Sequence, residues 1–140
     1  SGLPLKIVGD GRDRSRLQAM AKPNIQFLGR VSGHQVEKHL SRCRAFVFPG
    51  EEDFGIAPLE AQAAGRPVIA YAAGGALETV VEGATGVFFR EQTAESLADA
   101  ISKFDDAAYD SATIRQHAQG FDKETFQNRL RAFVDEKLGR

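Results

Sequence analysis

The chain has 140 residues, 42% of them apolar, with 18 basic and 19 acidic residues and a formal net charge of -1. That length suits one domain able to bury roughly two-thirds of its unfolded surface. The balanced, scattered charge excludes a basic stripe for nucleic acid or an anionic membrane, and the single cysteine, Cys43, excludes an internal disulfide.

No apolar run approaches the about 18 residues of a membrane span, and no signal peptide is visible, so a cytoplasmic location is expected. Ser1-Gly2 reads as a cloning remnant. The abrupt Leu3-Pro4-Leu5 start is expected to reflect truncation on the N-terminal side.

In chain order, short apolar runs alternate with helical patterns. Leu5 to Val8 reads as a strand ended by Gly9-Asp10-Gly11, followed by a helix from Arg12 to Ala21 that buries Leu17, Met20 and Ala21. Ile25 to Leu28 is the second strand, and Gly33 to Ser41 the second helix, burying Val36 and Leu40. Ala45 to Phe48, Pro67 to Tyr71 and Val87 to Arg90 are the remaining strands, separated by helices at Ile56 to Ala64 and Ala76 to Val81. Strands alternating with helices at this spacing predict a parallel sheet in an α/β fold.

The tail reads as three helices. Thr93 caps the first, which buries Leu97, Ile101 and Phe104; a second covers about Ala107 to Gln119; Asp122 caps the third. Phe121 and Phe126 are placed for a hydrophobic staple, and Leu130, Phe133, Val134 and Leu138 continue one apolar face that needs a cover.

Chemistry is expected in Phe48 to Gly65, FPGEEDFGIAPLEAQAAG. It leads from the carboxyl end of a strand through a polar turn into a helix, whose unpaired first amides and dipole favour an anion, phosphate above all. Glu52 in the turn and Glu60 in the helix frame that start. Each has a plainer reading, Glu52 as part of an acidic turn that suits the helix dipole and Glu60 as a solvated helix residue.

Other classes fall away. A dinucleotide fingerprint at Gly9-Asp10-Gly11 would need its third glycine where Arg14 stands. His34, His39 and His117 lack metal-ligand spacing, Cys43 has no histidine near it in sequence, and no hydrolase or phosphate-loop pattern occurs. Gly74-Gly75 opens a loop on the edge of the sheet where ligands gather, which loop flexibility explains equally well; Gly83 and Gly86 read as structural.

Glu52-x7-Glu60, with Phe54-Gly55-Ile56 between and Ala64-Gly65-Arg66-Pro67-Val68-Ile69-Ala70 after, resembles the E-x7-E signature of retaining glycosyltransferases of family 4. Ile7 to Gly11, Ile25 to Gly29, Gly74 to Val80 and Glu82 to Gly86 resemble that family's flanking segments in the same order, so the likeness covers essentially the whole chain.

The resemblance implies a Rossmann-like parallel sheet with helices on both faces, the C-terminal half of a GT-B fold with a helical tail. Residues 1–140 would then form one nucleotide-sugar (donor) binding domain, serving retaining transfer of a sugar to an acceptor hydroxyl in polysaccharide or glycoconjugate synthesis. It implies that Glu52 faces the sugar as the catalytic carboxylate and that Glu60 binds the ribose hydroxyls. It also implies that the amides of Phe54, Gly55, Ile56 and Ala57 meet sugar and phosphate, that Gly9 leaves room for the nucleotide, and that Arg30 and Val31 lie against the base. The donor that the resemblance implies is a nucleoside diphosphate sugar, with no cofactor and no metal expected. Peripheral membrane association of the full-length enzyme is compatible with the resemblance. A noncatalytic binding or assembly module, and a GT-B epimerase or phosphorylase-like protein, stand as alternatives.

The departure is at the beginning. The family carries, before this first strand, another strand and loop whose Arg and Lys clamp the diphosphate. If the sheet keeps the family arrangement, their absence predicts that another chain, a separate segment or a rearranged strand fills a gap between the first and third strands. It also predicts a loss of about two to four decades of affinity, at roughly 1.5–3 kcal/mol per charged contact. The chain alone is expected to be inactive, its partners being the donor and an N-terminal domain or second chain.

Overall fold

The computed structural model describes residues 2–140. The elements are β1 (Leu5–Val8), α1 (Arg14–Met20), β2 (Ile25–Gly29), α2 (Gly33–Leu40), β3 (Phe46–Phe48), α3 (Ile56–Ala63), β4 (Val68–Tyr71), α4 (Ala76–Thr79), β5 (Gly86–Phe89), α5 (Ala94–Lys103), a 3-10 turn (Asp106–Ala108), α6 (Ser111–Gln119) and α7 (Lys123–Leu138). All five expected strands are present and every ladder is parallel, but they form two sheets rather than one: β1 with β2, and β3-β4-β5. β1 and β3 share no ladder. The chain accordingly divides into two compact units, the first ending at His39 and the second spanning Leu40–Arg140.

In the first unit, β1 and β2 run in register from Leu5 opposite Ile25 to Ile7 opposite Phe27, then slip so that Val8 lies opposite Gly29. The expected burial of the first helix is corrected here. Leu17 is 41% and Met20 70% exposed, and α1 buries no residue. Periodicity marks the face a helix could bury, and two short strands offer little apolar surface to cover it.

The second unit is layered on both faces of its sheet. Phe48, Val68 and Ala70 meet Ala61 of α3 and Ala76 and Val80 of the α4 segment on one side. On the other, Ile69 and Phe89 meet Ala100 of α5, with Leu97, Ile101 and Phe104 packed around them. Val68, Ile69 and Ala70 are all buried because β4 is central and its side chains alternate between two covered faces. Behind α3 lies α6, with Ile114 fully buried. Gly86 is structural, as read from sequence: a side chain there would run into the Val68 carbonyl.

The tail departs from expectation twice. The single helix read over Ala107 to Gln119 is split, because the Asp105 carboxylate accepts from the Ala107 amide to start the 3-10 turn and the Asp110 carboxylate accepts from the Thr113 amide at 2.8 Å to start α6. Short acidic side chains compete with a continuing helix by bonding nearby amides. The second departure concerns the staple: the Phe121 ring turns to Phe54 and His117, while Phe126 stays 62% exposed. The apolar face of α7 is uncovered throughout, since α7 buries no residue.

The caps give α6 and α7 an acid-labile start. Bonds from the Thr113 hydroxyl and amide hold the Asp110 carboxyl below its ordinary range, and the Thr125 amide and hydroxyl do the same for Asp122. A depressed folded value stabilises the native state above the unfolded value of about 4, and that contribution disappears as pH falls through the folded value. Circular dichroism should therefore show helix lost as pH falls below about 4, with the loss reduced in the Asp110→Asn, Asp122→Asn double variant.

Candidate functional site

The acidic turn between β3 and α3 is tied down from several sides. Gln92 Nε2 donates to the Pro49 carbonyl at 3.0 Å, and the Gly75 amide donates to the Glu52 carbonyl at 2.7 Å. The Gly74-Gly75 pair makes the second contact possible. A Cβ on Gly74, whose φ is +54°, would collide with the Glu52 carbonyl, and one on Gly75 would sit 2.5 Å from the Phe54 oxygen and 2.6 Å from that of Asp53. Flexibility is thus the lesser part of this glycine pair; backbone packed on backbone is the greater.

Helix α3 begins at Gly55, buried and at φ +78°, with no side-chain cap. By contrast, Thr93, Asp110 and Asp122 each accept an amide at the starts of α5, α6 and α7. The first amides of α3 are therefore left without a capping acceptor, next to a turn whose Glu51, Glu52 and Asp53 are exposed. Along α3, Pro58, Ala61 and Gln62 are buried, whereas Ile56 and Glu60, one turn apart, share the solvent face. Glu52, Phe54, Gly55, Ile56, Ala57 and Glu60 thus belong to one strand-turn-helix segment with both carboxylates accessible.

Gly9, Arg30 and Val31 belong to the first unit. Gly9, at φ +120°, donates its amide to the Gly29 carbonyl at 2.8 Å, and nothing lies within 4 Å of where its Cβ would be. Arg14 lies over Gly29, Nη1 3.5 Å from the Asp10 carboxylate. Arg30 is exposed and Val31 half-buried.

The remaining candidates carry no site. Cys43 is half-buried, its Sγ donates to the Leu40 carbonyl at 3.2 Å, and burial pushes its thiol up, away from a reactive thiolate. A groove between α5 and β5 holds Arg90, Lys103 and Tyr109, but Arg90 is paired with Glu82 at 2.6 Å and Lys103 with Asp99 at 2.7 Å. Among the described residues no three or more His, Cys, Asp or Glu side chains gather into a metal-binding group, and no helix is long and apolar enough to cross a membrane.

The family model for glycosyl transferases group 1 matches residues 1–119. The chain belongs to this family. Over 106 residues it is 38% identical to a GDP-mannose-dependent monoacylated alpha-(1-6)-phosphatidylinositol monomannoside mannosyltransferase of Corynebacterium glutamicum, covering 68% of this chain and 28% of that protein. It thus spans little more than a quarter of that relative's length. A sucrose-phosphate synthase from Thermosynechococcus elongatus superposes with a TM-score of 0.81 at 27% identity, over 96% of this chain and 38% of the other. HepE from Anabaena, solved in complex with UDP and glucose, superposes with a TM-score of 0.73 at 21% identity, over 94% and 40%. As a group 1 glycosyltransferase the chain has the α/β fold of the C-terminal domain of GT-B enzymes, with parallel sheets flanked by helices.

Sequence reasoning located the turn and α3 but missed what holds them: Gln92, His117 and Phe121 come from later elements. No local signal marks them.

Proposed function

We propose that this chain is the donor-binding part of a larger retaining, family 4 GT-B glycosyltransferase, which moves a sugar from a nucleoside diphosphate to an acceptor hydroxyl without a metal. The observation that carries the reading is the uncapped, glycine-started α3 set behind an exposed acidic turn, in a chain of the group 1 family. The free amides of Phe54 to Ala57 offer donors to phosphate and sugar oxygens. Glu60, on the accessible face of α3, takes the ribose hydroxyls, and Glu52 lies against the reacting sugar. The family resemblance also assigns Gly9, Arg30 and Val31, in the first unit, to the nucleotide. Departure of the nucleoside diphosphate is eased by donors already aimed at the charge it develops.

Of the three relatives named, one is GDP-mannose-dependent and another was solved with UDP and glucose, which makes GDP-mannose and UDP-glucose the donors to try first. Titration of the whole enzyme with each, followed by calorimetry, should show saturable binding of one. Glu60→Ala should weaken it by about 10- to 100-fold, as expected for hydrogen bonds to a charged group. Equal affinity in wild type and variant would remove Glu60 from the site; no binding of any nucleotide sugar to the folded enzyme would remove the function.

A further inference from the structure

The site turn is braced by groups from the helical tail. The Phe54 ring packs on that of Phe121, centroids 6.2 Å apart, and Phe121 in turn meets the edge of His117 at 5.3 Å. His117 has a second contact, its Nε2 lying 3.0 Å from the Thr79 carbonyl. A carbonyl oxygen only accepts, so Nε2 carries the proton and donates. The same carbonyl accepts at 2.9 Å from Nε2 of the fully buried Gln62. Thr79 ends α4, and Gly75, at its beginning, donates to the Glu52 carbonyl. Helix α4 is therefore held at its far end by α3 and α6 and rests at its near end on the acidic turn. His117 thus touches both routes to that turn, one through Phe121 and Phe54, the other through Thr79 and Gly75.

We propose that His117 and Phe121 are positioning residues for donor binding, fixing the Glu52 to Gly55 turn through the Phe54 ring and through α4. This rests on the donor-binding reading given above. Neither residue meets the ligand in this scheme. Their role is to keep the Phe54 to Ala57 amides and the Glu52 carboxylate in one arrangement, so that binding does not have to order them. The aromatic chain suits this task because a tilted ring pair adds a directional preference to simple burial. Phe54 is still 44% exposed, so Phe121 supplies a specific brace in a place where the general core does not reach.

Amide hydrogen exchange on the chain provides a readout independent of any ligand. The Gly75 amide, bonded to Glu52, reports on the turn; the Val68 amide, bonded to the Thr85 carbonyl at 3.0 Å, reports on the sheet. Phe121→Ala should speed exchange at Gly75 by about two- to tenfold, the worth of one aromatic pair, with Val68 unchanged, and Phe121→Tyr should restore it. Affinity of the whole enzyme for UDP and GDP, used as probes, should fall by a similar factor in Phe121→Ala and return in Phe121→Tyr.

If Val68 also speeds up, the variant has lost its fold, and the comparison passes to His117→Ala against His117→Gln, whose amide can still donate to Thr79. Unchanged Gly75 exchange in the folded variants overturns the brace. Faster Gly75 exchange with unaltered nucleotide affinity overturns the positioning role. A whole wild-type enzyme that binds neither nucleotide counts against the donor reading itself, while the coupling measured at Gly75 stands.

Discussion

Gly75→Ala is expected to destabilise the protein and disorder the acidic turn, although alanine is the better helix former. Gly75 has φ -62° and ψ -18°, an ordinary right-handed conformation, so the backbone itself would gain up to about 1 kcal/mol from the exchange. Sterics oppose this. The new methyl would run into Phe54 Cα, with the Phe54 and Asp53 oxygens at 2.5 and 2.6 Å. All three are main-chain atoms that no rotamer change can move. Either the turn or the start of α4 must shift, and both routes break the 2.7 Å bond from Gly75 to Glu52. The net cost should be about 1–3 kcal/mol, the usual range for overpacking, read as a lower midpoint in urea. Gly33→Ala is the control, with nothing within 4 Å of its Cβ position and an effect of at most about 0.5 kcal/mol expected. Equal midpoints for the two variants would show that the glycine contact is slack.

The second large effect is kinetic. Under the proposed function, Glu52→Gln in the whole enzyme should lower kcat by about 100- to 1,000-fold, the range for losing one aimed electrostatic group in a reaction centre. KM for the donor should change little, because the amides and Glu60 still hold the nucleotide. Glu60→Ala should show the opposite signature, a raised donor KM with a smaller change in kcat, as for a group that binds ground and transition states alike. The split separates two carboxylates that lie on one short segment of chain. A Glu52→Gln enzyme with full kcat would leave that carboxylate as an ornament of the helix start.

The elements of the fold were largely legible because their signals are local. Gly65, at φ +76°, ends α3 where the sequence stops the helix, and Thr93 and Asp122 cap the helices they precede. The split between Asp106 and Asp110 was less visible, since an aspartate can sit within a helix or start one, and only the bonds it finds decide. Burial was the weakest inference. Leu17, Met20 and the α7 face have the right period and no cover, and a sequence pattern cannot supply the surface that must pack against it. The site itself was half legible: its turn has a motif, while Gln92, His117 and Phe121 have none, because their value lies in where α5 to α7 bring them back to the turn.

The glycine at the start of α3 lets durability and use agree on one residue. The working caps Thr93, Asp110 and Asp122 all stand on extended backbone, whereas position 55 is left-handed and buried. A side chain there would be strained and turned away from the usual capping geometry, so Asn or Asp would gain the fold nothing. In the proposed enzyme it would also bring an acceptor to where the donor's oxygens must bind. A lineage drifting toward greater stability would therefore be expected to keep Gly55, and its chemistry with it.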